Sequence, residues 1–224
     1  LVGTAAGIQT ITNNAIAGTF TRLGASGNTF GLAVTVAIAG NGQTLNNSNN
    51  NFSNVTLAGT TAGTCISNLD SPPKTIQNNT CSNWGGAPSG TLTGIIVNNG
   101  VAPTIASNTI TNWTGAGSIT GILVNGNTGN NPIGTVTSNT VSGLTSTNPG
   151  PTGVRGIHLS TPSNIGQALN MSVTSNNVNN LSATAATAAA NVIGISVGET
   201  TPQQLATTAT VSGNVVKTLS ADFE

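Results

Sequence analysis

Asn79-Thr-Cys81-Ser-Asn-Trp84 and Asn108-Thr-Ile110-Thr-Asn-Trp113 are two copies of one hexapeptide, and three more follow: Asn139-Thr-Val141-Ser-Gly-Leu144, Asn176-Asn-Val178-Asn-Asn-Leu181 and Asn214-Val-Val216-Lys-Thr-Leu219. The rule is Asn, any residue, an aliphatic or Cys, two mostly small polar residues, then Trp or Leu. Upstream, Asn50-Asn-Phe52-Ser-Asn-Val55 keeps the frame with substitutions, and Asn14-Ala-Ile16 followed by Phe20 keeps it with one extra residue. The signature Asn thus falls at Asn14, Asn50, Asn79, Asn108, Asn139, Asn176 and Asn214, at intervals of 29 to 38 residues. A repeat of that length decides architecture before any individual strand is assigned.

Working outward, a short β-type run precedes most of these asparagines: Thr10-Ile-Thr12, Thr75-Ile-Gln77, Thr104-Ile-Ala106, Thr135-Val-Thr137, Ser172-Val-Thr174 and Thr210-Val-Ser212. The run ahead of Asn50 is the weak one. Between successive signatures stands a Gly-led run: Gly31-Leu-Ala-Val34, Gly94-Ile-Ile-Val97, Gly121-Ile-Leu-Val124, Gly156-Ile-His-Leu159 and Gly194-Ile-Ser-Val197, with Gly63-Thr-Cys-Ile66 a degenerate copy. Such runs alternate apolar and polar side chains with a period of two, and one repeat buries too little apolar surface to stand alone. Stacked at roughly 4.8 Å they form an all-β parallel solenoid of about seven coils, roughly 30 Å long. One domain spanning residues 1–224 is expected, complete in itself or part of a longer solenoid or filament. Ile76, Ile105, Val136, Val173 and Val211 are expected in one inward column, and Ile95, Ile122, Ile157 and Ile195 in another. The signature asparagines are expected to stack at a corner, where Asn tolerates the left-handed conformation and its amide can bond its equivalent one coil away.

These alternating motifs resemble the right-handed parallel β-helix proteins of the pectate-lyase-like superfamily, in particular repeat-rich secreted and surface members from bacteria. The resemblance covers residues 8 to 219 and implies a single right-handed β-helix. It leaves function open, because that fold carries lyases, hydrolases, adhesins, phage spikes and filament proteins.

Composition narrows the choice. Charged residues are 4 % of the chain, against roughly 25 % in an average domain, and the net charge is zero. That removes the electrostatic drive toward nucleic acid and toward anionic lipid, so neither is an expected partner. Regularly spaced aliphatics argue against disorder, and no apolar run reaches the length of a membrane span. The chain opens at Leu1 with no basic segment leading into an apolar one, so a signal peptide is expected to have been removed or to lie upstream.

A search for chemistry finds little. Polysaccharide-cleaving enzymes of the resembled superfamily use clustered carboxylates, as calcium ligands or as an acid/base pair, and a glycosidase needs two within about 10 Å. This chain has Asp70, Glu199, Asp222 and Glu224, with no two placed one coil apart on the same strand. The expectation is no catalytic residue, no metal site and no cofactor. Asp70 and Lys74 read as a solvated surface pair across Ser71-Pro-Pro73. His158, beside Arg155, reads as an outward structural histidine, exposed or covered by a loop. Trp84 and Trp113 share a motif position with Leu144 and Leu181, which predicts stacked burial over a sugar platform. Cys65 and Cys81 are too few for a zinc site and leave two readings open, small buried hydrophobes or a disulfide.

What remains is a rigid neutral rod in which neither end carries a capping helix or a charge-rich segment. The expected function is a non-enzymatic extracellular or cell-surface structural protein, either a filament subunit or an adhesin stalk. Its expected partners are copies of itself joined end to end, or neighbouring coils of a longer chain. Ile11 and Ile16 near one end, and Val211 and Val216 near the other, are the candidate contacts. Two alternatives stand beside it: a protein that binds or degrades polysaccharide, and an ice-binding solenoid suggested by the Thr-x-Thr runs.

Overall fold

Runs that present an aliphatic side chain at every second position can be buried only against other such runs, and here they are buried in three parallel sheets. The computed structural model describes residues 7–24, 26–34, 44–69, 73–86, 88–98, 102–125, 133–147, 153–160, 168–185, 191–198 and 206–223. Among these residues there are twenty strands and no helix, and so no helix long and apolar enough to cross a membrane.

Sheet one holds, in spatial order, Ile8–Thr12, Thr44–Ser48, Lys74–Gln77, Pro103–Ala106, Ile133–Thr137, Ala168–Thr174 and Ala206–Ser212. Sheet two holds Phe20–Arg22, Val55–Leu57, Thr80–Gly86, Thr109–Gly115, Thr140–Ser146, Asn177–Ala185 and Val215–Phe223. Sheet three has six strands, Ser26–Val34, Thr60–Asn68, Leu92–Asn98, Ile119–Asn125, Val154–Ser160 and Val192–Val197. All pairings between these strands are parallel. The chain visits the three sheets in turn and comes back one strand further along, an arrangement compatible with a parallel β-solenoid.

Register turns the repeat into columns. Ile76, Ile105, Val136 and Val173 pair in sequence and are fully buried, and Val211 ends their column on the last strand, half exposed. Ile66, Ile95, Ile122 and Ile157 form the matching column in sheet three, closed by the partly buried Ile195. Fully burying one such side chain contributes about 2–3 kcal/mol, so the stack is stable only as a whole. Trp84 and Trp113 occupy one sheet-two column with Leu144 and Leu181. Both indoles are buried and stacked, with centroids 4.9 Å apart and planes 6° from parallel. Their Nε1–H groups donate to Phe52 O and Cys81 O.

The Gly that leads each sheet-three motif is required by contact. A Cβ on Gly121 would lie 2.4 Å from Val141 Cγ1 and 2.6 Å from Gly156 O, and Gly94, Gly156 and Gly194 are similarly crowded. Cys65 and Cys81 are joined as a disulfide, which ties sheet three at one level to sheet two at the next.

Two expectations need correction. The left-handed residue at the corner is the one before each signature Asn: Asn13, Asn49, Asn78, Ser107, Ser138, Ser175 and Gly213 all have φ between 54° and 63°. Turning the chain one residue early frees the signature Asn to point its amide along the stack. A second left-handed position, just ahead of the Val, Trp or Leu of each signature from Asn50 onward, falls at Asn54, Asn83, Asn112, Gly143, Asn180 and Thr218. Lys74 is not a solvated surface residue. It pairs with Leu45 on one side and Pro103 on the other and is 1 % exposed. Asp70, its expected partner, lies outside the described residues.

Candidate functional site

The signature asparagines form an unbroken ladder. Asn14, Asn50, Asn79, Asn108, Asn139 and Asn176 each donate from Nδ2 to Oδ1 of the next, at 2.9–3.0 Å. Each backbone N–H donates to the same oxygen, also at 2.9–3.0 Å. From Asn50 to Asn214, a further Nδ2–H reaches a sheet-one carbonyl one level back: Ile11, Asn47, Ile76, Ile105, Val136 or Val173 O. The five inner asparagines are 1 % exposed and use both oxygen lone pairs and both amide hydrogens.

The two ends of the stack are where apolar surface is left over. Among the described residues, the exposed large apolar side chains are Ile8, Phe20, Leu23, Phe30, Val211, Val215, Val216 and Leu219, together with only Leu69 and Ile133 elsewhere. Of the four candidate end contacts, Val211 and Val216 are 49 % and 43 % exposed, while Ile11 and Ile16 are partly buried. Ile11 and Val211 begin and end one column in sheet one. Ile16 heads the column that runs through Phe52, Cys81, Ile110, Val141 and Val178 to Val216.

His158 is 5 % exposed. Its Nδ1 lies 2.6 Å from Ser196 Oγ and its Nε2 lies 3.2 Å from Arg155 Nη1. No three His, Cys, Asp or Glu side chains come together among the described residues. Glu199 and Glu224 lie outside those residues, as does Asp70.

On the outer face of sheet two, Asn83 Nδ2 donates to Asn54 Oδ1 at 2.9 Å and Asn112 Nδ2 to Asn83 Oδ1 at 3.3 Å. Beside this short exposed ladder is a shallow groove of about 250 Å³, lined among others by Thr56, Asn83, Gly85, Gly86, Asn112 and Thr114. The composition alone gave no sign of it, although Asn recurring ahead of Trp84 and Trp113 was visible. The Thr-x-Thr face on sheet one is irregular. One outward column reads Thr10, Asn46, Thr75, Thr104, Thr135, Ser172, Thr210, and the other is broken by Gln77 and Ala106.

Comparison with protein-family models, with curated proteins and with solved structures finds no match for this chain.

Proposed function

We propose that this chain is a non-enzymatic extracellular structural protein, a right-handed parallel β-helix of about seven coils that serves as a filament subunit. The carrying observation is the placement of exposed apolar side chains, most of which, among the described residues, lie on or beside the first and last strands. Solenoid ends that work in water are normally covered by a polar cap. Zero net charge supports the reading as well, because no long-range repulsion opposes contact between copies. The Cys65–Cys81 disulfide supports an oxidising, extracellular setting. Handedness follows the strong preference of parallel strand crossovers for the right hand.

Electron microscopy of the purified protein at neutral pH tests this directly, with unbranched fibres of constant width as the expected result. Monomers by light scattering at high concentration, with both termini intact, would contradict it and leave the adhesin stalk. Assays on pectate, polygalacturonate and neutral glycans are expected to show no turnover. Product above background that is lost in His158→Ala or Asp70→Ala would overturn the non-enzyme part. A second reading, binding of a neutral polysaccharide, draws on the Asn83–Asn112 groove, whose amides and hydroxyls suit sugar hydroxyls. Ice binding lacks a regular outward array to support it.

A further inference from the structure

The disulfide stands at the one break in an otherwise strict pairing of positions. In sheet three the column Gly31, Cys65, Gly94, Gly121, Gly156 and Gly194 runs in register through all six strands. Cys65 therefore takes the place of the motif glycine, and not Gly63, which pairs with Leu92. Each glycine of the column faces one side chain of the sheet-two column. A Cβ at Gly31 would lie 2.8 Å from Phe52 Cβ, at Gly94 2.9 Å from Ile110 Cγ2, at Gly121 2.4 Å from Val141 Cγ1, at Gly156 2.4 Å from Val178 Cγ1 and at Gly194 2.3 Å from Val216 Cγ1. An empty position thus opposes a filled one at every level but the second, where Cys65 opposes Cys81 and both are 0 % exposed. Two side chains fit there because their sulfurs share a bond.

We infer that this bond is a redox gate on the stack: with both thiols free the second level does not close onto the core, and the rod is completed only once Cys65 and Cys81 are oxidised. Bonded sulfurs stand roughly 2 Å apart, whereas unbonded heavy atoms settle at roughly 3.5–4 Å. A close-packed interior has no spare volume for that difference, and the glycines on either side show how tightly this seam is filled. Overfilling a core forces side chains off their rotamers and shifts the backbone. Parting the sulfurs therefore pushes Thr60–Asn68 away from Thr80–Gly86. The inference is independent of the filament reading, since it concerns how one chain stacks its own levels.

The second level is also the one least able to resist that push. Asn47 and Asn68 lie inside it with neither amide atom partnered, and Val34 and Leu45 form a cluster apart from the main core, to which both cysteines belong. Closing the gate is a thiol–disulfide exchange with an oxidant that is itself a disulfide, small-molecule or protein. One cysteine thiolate attacks the oxidant and forms a mixed disulfide, releasing half of the oxidant as a thiol. The second cysteine then displaces the other half, so the two electrons and two protons leave on two oxidant thiols. Both sulfurs must be reachable for this, so oxidation precedes closure, and the closed level then shields the bond. A chain kept in a reducing compartment stays open at this level, and an oxidising one completes it.

The test is hydrogen exchange, read by mass spectrometry, on the full chain unfolded and reduced and then refolded with either a phosphine reductant or glutathione disulfide. With reductant, Thr44–Ser48 and Thr60–Asn68 should exchange at least about a hundredfold faster than after oxidation, while Thr109–Gly115 and Ile119–Asn125 stay equally protected in both. Cys65→Gly restores the glycine of the column, and Cys65→Gly/Cys81→Ile restores the whole pair. Although each lacks the bond, each should exchange at the second level at least about tenfold more slowly than the reduced unaltered chain, because the crowding is gone. Equal protection of the unaltered chain under both conditions would overturn the gate. Second-level exchange in both variants as fast as in the reduced unaltered chain would overturn it too, by assigning the whole effect to the lost cross-link.

Discussion

Asn108 and Asn47 are the same residue type, both buried, yet the structure treats them in opposite ways. Asn108 stands in the corner ladder with every polar atom of its amide bonded. Asn47 lies in the inward column between Ile11 and Ile76, with neither amide atom partnered. Asn68 repeats the arrangement in sheet three, between Val34 and Val97. Both sit at the second level of the stack, and there the apolar core divides: Val34 and Leu45 form a small cluster separate from the main one. An amide thus stabilises this fold where it stacks on its own kind at a turn, and weakens it where it replaces an aliphatic inside. The middle levels are a continuous core and the N-terminal levels an interrupted one.

Four substitutions sharpen that contrast, and the first should have the largest effect. Val136→Asp puts an unpaired carboxylate in a middle level of the same column that holds Asn47, and should cost about 3–5 kcal/mol in denaturant unfolding. A loss under about 1 kcal/mol would mean the middle levels are as tolerant as the second. Asn108→Leu strands the buried N–H and Nδ2–H of Asn79 and should cost about 3 kcal/mol. Replacing both Cys65 and Cys81 by Ser opens a loop with a sequence separation of 16 residues; it should cost about 3 kcal/mol. Because that bond links the second level to the third, hydrogen exchange should quicken first in Thr44–Ser48 and Thr60–Asn68. Asn47→Ile should reverse the sign and stabilise by about 1 kcal/mol, since it removes two orphaned polar atoms and restores the residue found at Ile76. A destabilised Asn47→Ile protein would show that the amide does useful work in the interior.

Much of this was legible in the sequence because each level repeats the same local physics. The columns through Ile105 and Ile122 follow from period-two alternation, and the stacked Trp84 and Trp113 from a position they share with Leu. The corner ladder followed from the recurrence of Asn. Its mechanism did not, because the left-handed turn belongs to Asn78 or Ser107, one residue earlier, and Asn and Ser dipeptides do not reveal which member bends. The place of Lys74 was hidden for a related reason. A charged residue after Pro72-Pro73 reads as loop, and only the register with Leu45 and Pro103 puts it inside. The inward Asn47 was signalled only as a weak run ahead of Asn50. The hydrogen bonds of Arg22, on sheet two, to Ser26 O and Thr29 Oγ1 on sheet three cross between sheets, which spacing along the chain does not encode.

The proposal that copies of this chain assemble as a filament is tested most directly by the axial repeat of the fibres it predicts. If the seven strand levels of sheets one and two make up the repeating unit, stacking at about 4.8 Å per level gives a rise of about 34 Å per subunit. Helical reconstruction or fibre diffraction should show that rise together with a meridional spacing of about 4.8 Å, with little dependence on salt because the chain carries no net charge. A rise that is not a whole number of strand spacings, or a repeat generated by side-by-side subunits, would contradict it.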